Sequence, residues 1–246
     1  MLTALQLRLP KLLAPGPPAV CSGSAYAHKS KLEVLLGKGF FQAIHGKTVI
    51  DFGCGEGADA IEMAQRGARR VIGIDICAEA LEIARHKAQI AEVADRCEFC
   101  RETHELADVL VSLDGFEHFA NPAAELETMA SLLRPSGVVW GSFGPPCYRP
   151  LGGHLFSVFP QAHLLFSEAA LMAWRAAFKD DGATRFSEVA GGLNQMTVSG
   201  FIRVVEASPF CFDALELVPI RKLRYLHNRF TREFTTSAVR FRLVRR

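Results

Sequence analysis

The chain has 246 residues, 49% of them hydrophobic and 22% charged, with a net charge of +2. That length holds one α/β domain with a full core, or at most two small ones, and the composition is that of an ordinary globule rather than a disordered or fibrous chain. No stretch approaches the roughly 20 consecutive apolar residues that a membrane span needs, and seven cysteines without a framework spacing exclude a disulfide scaffold and point to reduced thiols in the cytoplasm.

Residues 1–28 read as a loosely ordered leader. Arg8, Pro10, Lys11 and the Pro15-Gly16-Pro17-Pro18 run interrupt an apolar stretch that a signal peptide would keep unbroken. From about Lys29 to Phe41, Leu32, Leu35, Leu36 and Phe40 recur at helical spacing, ending near the glycines at 37 and 39. Gly46-Lys47 then turns into Val49-Ile50-Asp51-Phe52-Gly53-Cys54-Gly55-Glu56-Gly57, which reads as a buried strand and a tight turn, followed by a helix that should pack Ile61 and Ala64 inward. Glycines at 53, 55 and 57 permit positive φ and take away the Cβ atoms that would hold a flat ligand off the loop.

The charge of that ligand is legible in the acids. Gly53-x-Gly55-x-x-Ala58 satisfies the permissive dinucleotide fingerprint, so glycine spacing alone does not discriminate. A carboxylate at the strand end, Asp51, with Glu56 inside the loop, would repel a diphosphate and suits a ligand carrying an ammonium and a sulfonium. The next strand, Val71 to Asp75, ends in a second acid eighteen residues past Gly57, where a carboxylate can accept hydrogen bonds from vicinal ribose hydroxyls. Asp75 by itself does not separate one ribose-bearing ligand from another.

A helix from Ala78 to Ala91, with Leu81, Ala84 and Ala88 on one side, leads to a strand near Cys97 to Cys100. Cys97-x-x-Cys100 invites a metal reading, but no second ligand pair lies nearby, and its alternation fits a strand better. Only Arg101 to Leu106 separate this strand from the fourth, Ala107 to Leu113. Asn121 as cap and Pro122 as first helical residue start a helix through Leu133; Arg134-Pro135-Ser136-Gly137 stops it, and Val138 to Phe143 is the fifth strand. Such alternation implies a parallel sheet with right-handed crossovers.

Gly144 to Gln195 then far exceeds the usual loop length of about 2 to 6 residues. An insertion leaving a strand's carboxyl end sits over the ligand crevice, so it reads as a lid and acceptor pocket, with a purely structural or dimerising insertion as the alternative. Tyr148, His154 and His163 are its candidate substrate groups, and a helix near Ser167 to Phe178 carries Trp174. A helix from Thr197 to Ala207, a strand from Cys211 to Ile220, a helix from Arg221 to about Arg232 and a strand from Ala238 to Val244 follow. From Arg221 to Arg246 nine Lys or Arg face one acid, Glu233. Such a tail could touch nucleic acid or an anionic membrane, and it also reads as ordinary elements with solvated basic faces.

Asp51 with the G-x-G-x-G loop resembles the corresponding run of the class I S-adenosylmethionine-dependent methyltransferases. Phe116-Glu117-His118-Phe119-Ala120-Asn121-Pro122 resembles the Glu-His segment of their small-molecule, methyltransferase type 11-like members, and Leu-Arg-Pro-Ser-Gly before a strand also matches. The resemblance covers about Lys29 to Arg246. It implies an α/β, Rossmann-like doubly wound sheet, mostly parallel with an antiparallel last strand, in order 3-2-1-4-5-7-6. It also implies S-adenosyl-L-methionine as cofactor, seated by Asp51, Gly53, Cys54, Gly55, Gly57, Asp75, Ile76, Glu102 and Ser112, with Glu105 the next candidate for the adenine-side acid. His118 is the candidate general base, since imidazole titrates near neutrality, with His154 beside it and a positioning role for either as the alternative. No metal is implied, a small or medium organic acceptor is expected rather than nucleic acid, and a homodimer stays open. A non-catalytic cofactor binder and a nicotinamide oxidoreductase are the competing readings.

Overall fold

The computed structural model describes residues 29–150, 152, 161–177, 182–189 and 192–246. Among them, Lys31–Leu36 (α1) and Phe40–Ile44 (α2) precede the strands and helices Thr48–Phe52 (β1), Ala58–Gln65 (α3), Arg70–Ile74 (β2), Ala78–Ile90 (α4) and Cys97–Cys100 (β3). Ala107–Leu113 (β4), Pro122–Ser131 (α5) and Leu133–Phe143 (β5) complete the parallel half. After Ala162–Leu165 (α6) and Glu168–Arg175 (α7), the chain closes with Val198–Glu206 (α8), Phe210–Pro219 (β6), Arg232–Thr235 (α9) and Thr236–Arg245 (β7).

The described strands form one sheet in the order β3-β2-β1-β4-β5-β7-β6, with β7 antiparallel to both neighbours. Strand geometry sends consecutive side chains to opposite faces, which makes a central strand of unbroken apolar residues bury both. Ile50, Ile72, Leu110 and Val139 thus enter one core with α5 and α8, while Val49, Val71 and Val109 enter a second core with α1 to α4. On β7, Val239, Phe241 and Leu243 are buried as their alternation requires.

Local chemistry sets the element ends. Ser30 caps α1 by accepting from the Glu33 N–H at 3.0 Å, and Gly37 at φ +87° ends it, so the single helix expected over 29–41 is two short ones. Asn121 caps α5 through the Ala124 N–H at 3.2 Å, as its sequence implies. That helix ends at Ser131 rather than Leu133, because β5 already pairs with β4 through Leu133↔Ala107. In α3 the inward residues are Ala60, Met63 and Ala64, with Ile61 only partly covered. The helix expected from Arg221 to Arg232 is instead a 3₁₀ helix, Arg221–Leu226, and the single turn of α9.

The glycines of the first turn divide by function. Gly53 and Gly55, at φ +84° and +51°, have no atom within 4 Å of where a Cβ would stand. Gly57, at φ +77°, would put a Cβ 2.7 Å from the Ala84 Cβ and 2.8 Å from the Phe99 ring. Left-handed strain of about 1–2 kcal/mol and overpacking of about 1–3 kcal/mol add at that position. Gly57→Ala is therefore expected to lower Tm in a thermal melt by on the order of 10 °C, given about 2–4 °C per kcal/mol for a domain of this size. Gly55→Ala should cost only the left-handed strain, about 1–2 kcal/mol.

Described parts of the insertion build a core of their own. Ala162, Leu171, Met172 and Phe186 are buried together, and Trp174 is 1% exposed. Six cysteines among the described residues are free, and no group of three or more His, Cys, Asp or Glu there could hold a metal. No helix among the described residues is long and apolar enough to cross a membrane.

Candidate functional site

Open α/β sheets bind ligands in the crevice outside the carboxyl ends of their strands, and acids stand there at the ends of β1, β2 and β4. Asp51, the penultimate residue of β1, is only 3% exposed, and its Oδ2 has no hydrogen-bond partner. Burial first, then the charge of Asp59, pushes its carboxyl up to about 8, against the opposing pull of Lys31 and a hydrogen bond from the Ala60 backbone. Asp75, just past β2, accepts from the Gly55 N–H at 2.8 Å and from the Cys77 N–H at 2.9 Å. Its carboxylate fastens the glycine turn and remains half-exposed beside it, while Ile76 next to it is 86% exposed. Cys54 is buried in the same turn, and burial holds its thiol above the ordinary range, so it packs as a neutral group.

One cation meets these acids. Lys31, in the first turn of α1, lies 3.4 Å from Asp59 and 3.1 Å from Asp114, and those two charges hold its ammonium above its ordinary pKa despite burial. Asp114 takes a left-handed φ of +52° at the end of β4, a conformation that Asp tolerates better than most residues and that clusters at functional sites. Lys31, Asp59 and Asp114 carry no sequence signature of their own; the fold brings them together. Glu56, expected to contribute charge to the loop interior, turns outward to pair with Lys87 of α4, so the acidity of the crevice comes from Asp51, Asp59 and Asp114 instead.

The segment after β4 is bolted to the returning end of the insertion. Asn194 donates its side-chain amide to the carbonyls of Phe116 at 2.6 Å and Phe119 at 2.8 Å, and its N–H to that of Glu117 at 2.9 Å. His118 Nδ1 lies 2.7 Å from the Gly192 carbonyl. A carbonyl only accepts, so Nδ1 is the donor in this contact, which orients the ring with Nε2 on its other side. Glu117 is 3% exposed; its Oε1 accepts from the Gly144 N–H at 3.2 Å, and Oε2 is buried without a partner. Burial raises its carboxyl to about 8, leaving a neutral acid beside Asp114 and Lys31.

Other sequence candidates distribute unevenly. Glu102 is exposed past the carboxyl end of β3, whereas Glu105 pairs with Arg70 at 2.8 Å, at the opposite end of the sheet. Ser112 is fully buried in β4. Tyr148 stacks on Phe234 with ring centroids 5.7 Å apart, and His163 is held by the Cys147 carbonyl, where burial lowers its pKa. His154, like the 1–28 leader, lies outside the described residues.

A family model described as a methyltransferase domain matches residues 26–191, about two thirds of the chain. The chain belongs to the methyltransferase domain family. It is 40% identical over 106 residues to a ubiquinone biosynthesis O-methyltransferase of Neisseria meningitidis serogroup C (strain 053442), a match covering 40% of this chain and 44% of that protein. Less than half of that relative's length is therefore matched. Among solved structures, magnesium protoporphyrin IX methyltransferase from Synechocystis PCC 6803 superposes with a TM-score of 0.55 at 17% identity, covering 99% of this chain and 91% of that one. The cyclase SpnF superposes with a TM-score of 0.59 at 13% identity, covering 99% and 95%. At such identities the likeness shows the fold, and the fold alone does not choose the reaction.

The crevice itself discriminates between ligands. An unpartnered carboxylate oxygen beneath a turn with open space over Gly53 and Gly55 fits a flat ligand bearing positive charge. Among the described residues, a diphosphate in the same place would face Asp59 and Asp114 against Lys31, a net repulsion. The methyltransferase domain thus carries a site suited to S-adenosylmethionine.

Proposed function

We propose that this protein is an S-adenosylmethionine-dependent methyltransferase acting on a small or medium organic acceptor by in-line displacement. Asp51 carries the reading: its Oδ2 is buried without a hydrogen-bond partner and burial keeps the carboxyl protonated in the free protein, so a cationic ligand would complete it as the carboxylate. When bound, the cofactor supplies an activated methyl group on a sulfonium. The turn at Gly53 and Gly55 would seat its methionine end against Asp51, Asp75 would take the ribose hydroxyls, and Ile76 with Glu102 would flank the adenine. Cys54, Gly57 and Ser112 would shape the seat by packing.

The chain's remaining task is to orient the acceptor and exclude water, which can supply about 7–11 kcal/mol of the barrier. His118, its ring oriented by the Gly192 carbonyl, would be the group to take the proton of a hydroxyl or phenol acceptor. We assign residues 29–246 to one methyltransferase domain and 144–195 to its lid and acceptor pocket, with Tyr148, His154 and His163 as the substrate groups to test. The separate small core in the described part of that segment supports this division. Free cysteines support a reducing, cytoplasmic setting.

Isothermal titration tests the reading directly. S-adenosylmethionine is expected to bind, NADH is expected not to, and Asp75→Ala should weaken cofactor binding by about tenfold or more, the loss of one or two charge-assisted hydrogen bonds. Unchanged binding in that variant, or tight binding of NADH, would overturn it.

A further inference from the structure

The connection between β6 and β7, residues 220–235, is built unlike the rest of the surface. Its 3₁₀ helix, Arg221–Leu226, buries none of its residues, yet Tyr225, Leu226 and Phe230 are large apolar groups exposed by 83%, 60% and 77%. Isolated exposed apolar side chains are ordinary, but three within six residues on one connection are a patch. Around them stand Arg221, Lys222, Arg224 and Arg229, all exposed. The guanidinium of Arg224 lies 4.6 Å from the Tyr225 ring centroid, and that of Arg229 lies 4.5 Å from the Phe230 centroid. The lone acid of the connection, Glu233, is turned inward and accepts from the Val198 and Ser199 N–H groups at 3.0 and 2.7 Å. The outer face is therefore cationic and apolar at once.

The connection is also held in shape. Ile220 N–H donates to the Thr235 carbonyl at 2.8 Å, closing the loop at its base, and His227 Nδ1 meets Thr235 Oγ1 at 2.8 Å. Its place is fixed by topology. β7 runs antiparallel to β5 with Phe143 opposite Val239, so the connection sits at the sheet end where β5 releases the chain toward the crevice. Tyr148, at the start of the insertion, stacks on Phe234 of the same connection.

We propose that residues 220–235 dock the protein on an anionic lipid bilayer, with Tyr225, Leu226 and Phe230 entering the headgroup region and the four basic residues meeting acidic headgroups. Charge complementarity chooses this occupant. Apolar tips flanked by Arg and Lys are the composition of interfacial anchors, and each basic group near an acidic surface adds to binding. A second copy related by a twofold axis would set the basic cluster against itself. Single-stranded nucleic acid would use the rings for stacking, but it has no use for Leu226 between them. Docking in this way turns the sheet end that bears the crevice toward the membrane, and it holds whether or not the crevice transfers methyl groups.

Co-sedimentation of the full chain with vesicles decides the matter. Binding to phosphatidylcholine vesicles containing phosphatidylglycerol is expected to exceed binding to pure phosphatidylcholine by about tenfold or more and to fall as salt is raised. A Tyr225→Ser, Leu226→Ser, Phe230→Ser triple variant should lose at least about tenfold in that binding, and an Arg221→Gln, Lys222→Gln, Arg224→Gln, Arg229→Gln variant should lose the preference for phosphatidylglycerol. None of these side chains is buried, so thermal melts and titration with S-adenosylmethionine should match the parent. No binding to either vesicle, equal binding to both, binding that survives the two variants, or binding of a single-stranded RNA oligonucleotide in place of vesicles would each overturn the proposal.

Discussion

Asp51→Asn is expected to weaken S-adenosylmethionine binding by roughly 10- to 100-fold at pH 8 and to abolish a proton release that accompanies binding to the parent at neutral pH. The range follows from about 1.5–3 kcal/mol for a hydrogen bond to a charged group. In the free protein, burial and Asp59 hold the Asp51 carboxyl near 8, well above its ordinary 3.8. Near pH 7 that group is therefore largely protonated. A cationic ligand favours the ionised form, so binding expels the proton, and affinity should climb as pH rises toward about 8 and then level off. Stability of the free protein runs the other way. The folded state holds a proton on Asp51 that the unfolded chain gives up near pH 4, so this group lowers stability progressively from about pH 4 to about pH 8. Glu117, raised to about 8 by burial, adds to the same slope. Calorimetric titration in two buffers of different ionisation enthalpy counts the protons, and melts across that pH range follow the slope, which should be shallower in the asparagine variant. An asparagine variant that binds as tightly as the parent would mean that the carboxylate does not meet the ligand.

The parts legible in the sequence are those written locally. Adjacent apolar pairs such as Val49-Ile50 and Val71-Ile72 announce strands buried on both faces, and each pair indeed divides between the two cores. Positive φ at Gly53, Gly55 and Gly57 was implicit in their spacing, but only the fold separates the two that leave room for a ligand from the one that leaves room for Ala84 and Phe99. Charges were harder to read. Glu56 lies inside the motif and points away to Lys87, whereas Lys31 and Asp114, far apart in the chain, meet at 3.1 Å. The Asn194 clamp is legible in no local pattern, since its partners, the Phe116 and Phe119 carbonyls, are backbone atoms that any residue could supply. The connection at 221–232, expected to be a helix, is a 3₁₀ helix and one α-turn, although Leu223, Tyr225 and Leu226 give it apolar side chains. None of residues 221–226 is buried, so those side chains give little tertiary support to an isolated short helix.

Phe116→Ala should produce the largest loss of stability, about 3–5 kcal/mol for emptying a fully buried aromatic site. Phe116 is 0% exposed, and its ring lies 5.1 Å from those of Phe119 and Phe201, 5.3 Å from Phe241 and 6.3 Å from Phe143. It joins α8, β5 and β7 to the segment after β4, and its own carbonyl receives the Asn194 amide. Glu117 and His118 follow it directly, so the cavity loosens the mounting of both groups as well as the core. Denaturant titration should show the fall in unfolding free energy, and the parent's m-value should be kept if the variant still unfolds in one step. Phe116→Leu, which refills most of the volume, should recover the larger share of the loss. Cofactor affinity, which under the proposed function rests mainly on Asp51, the glycine turn and Asp75, should change less than turnover in the alanine variant. A loss below about 1 kcal/mol would place Phe116 among tolerant surface positions and remove the anchor on which the geometry of Glu117 and His118 depends.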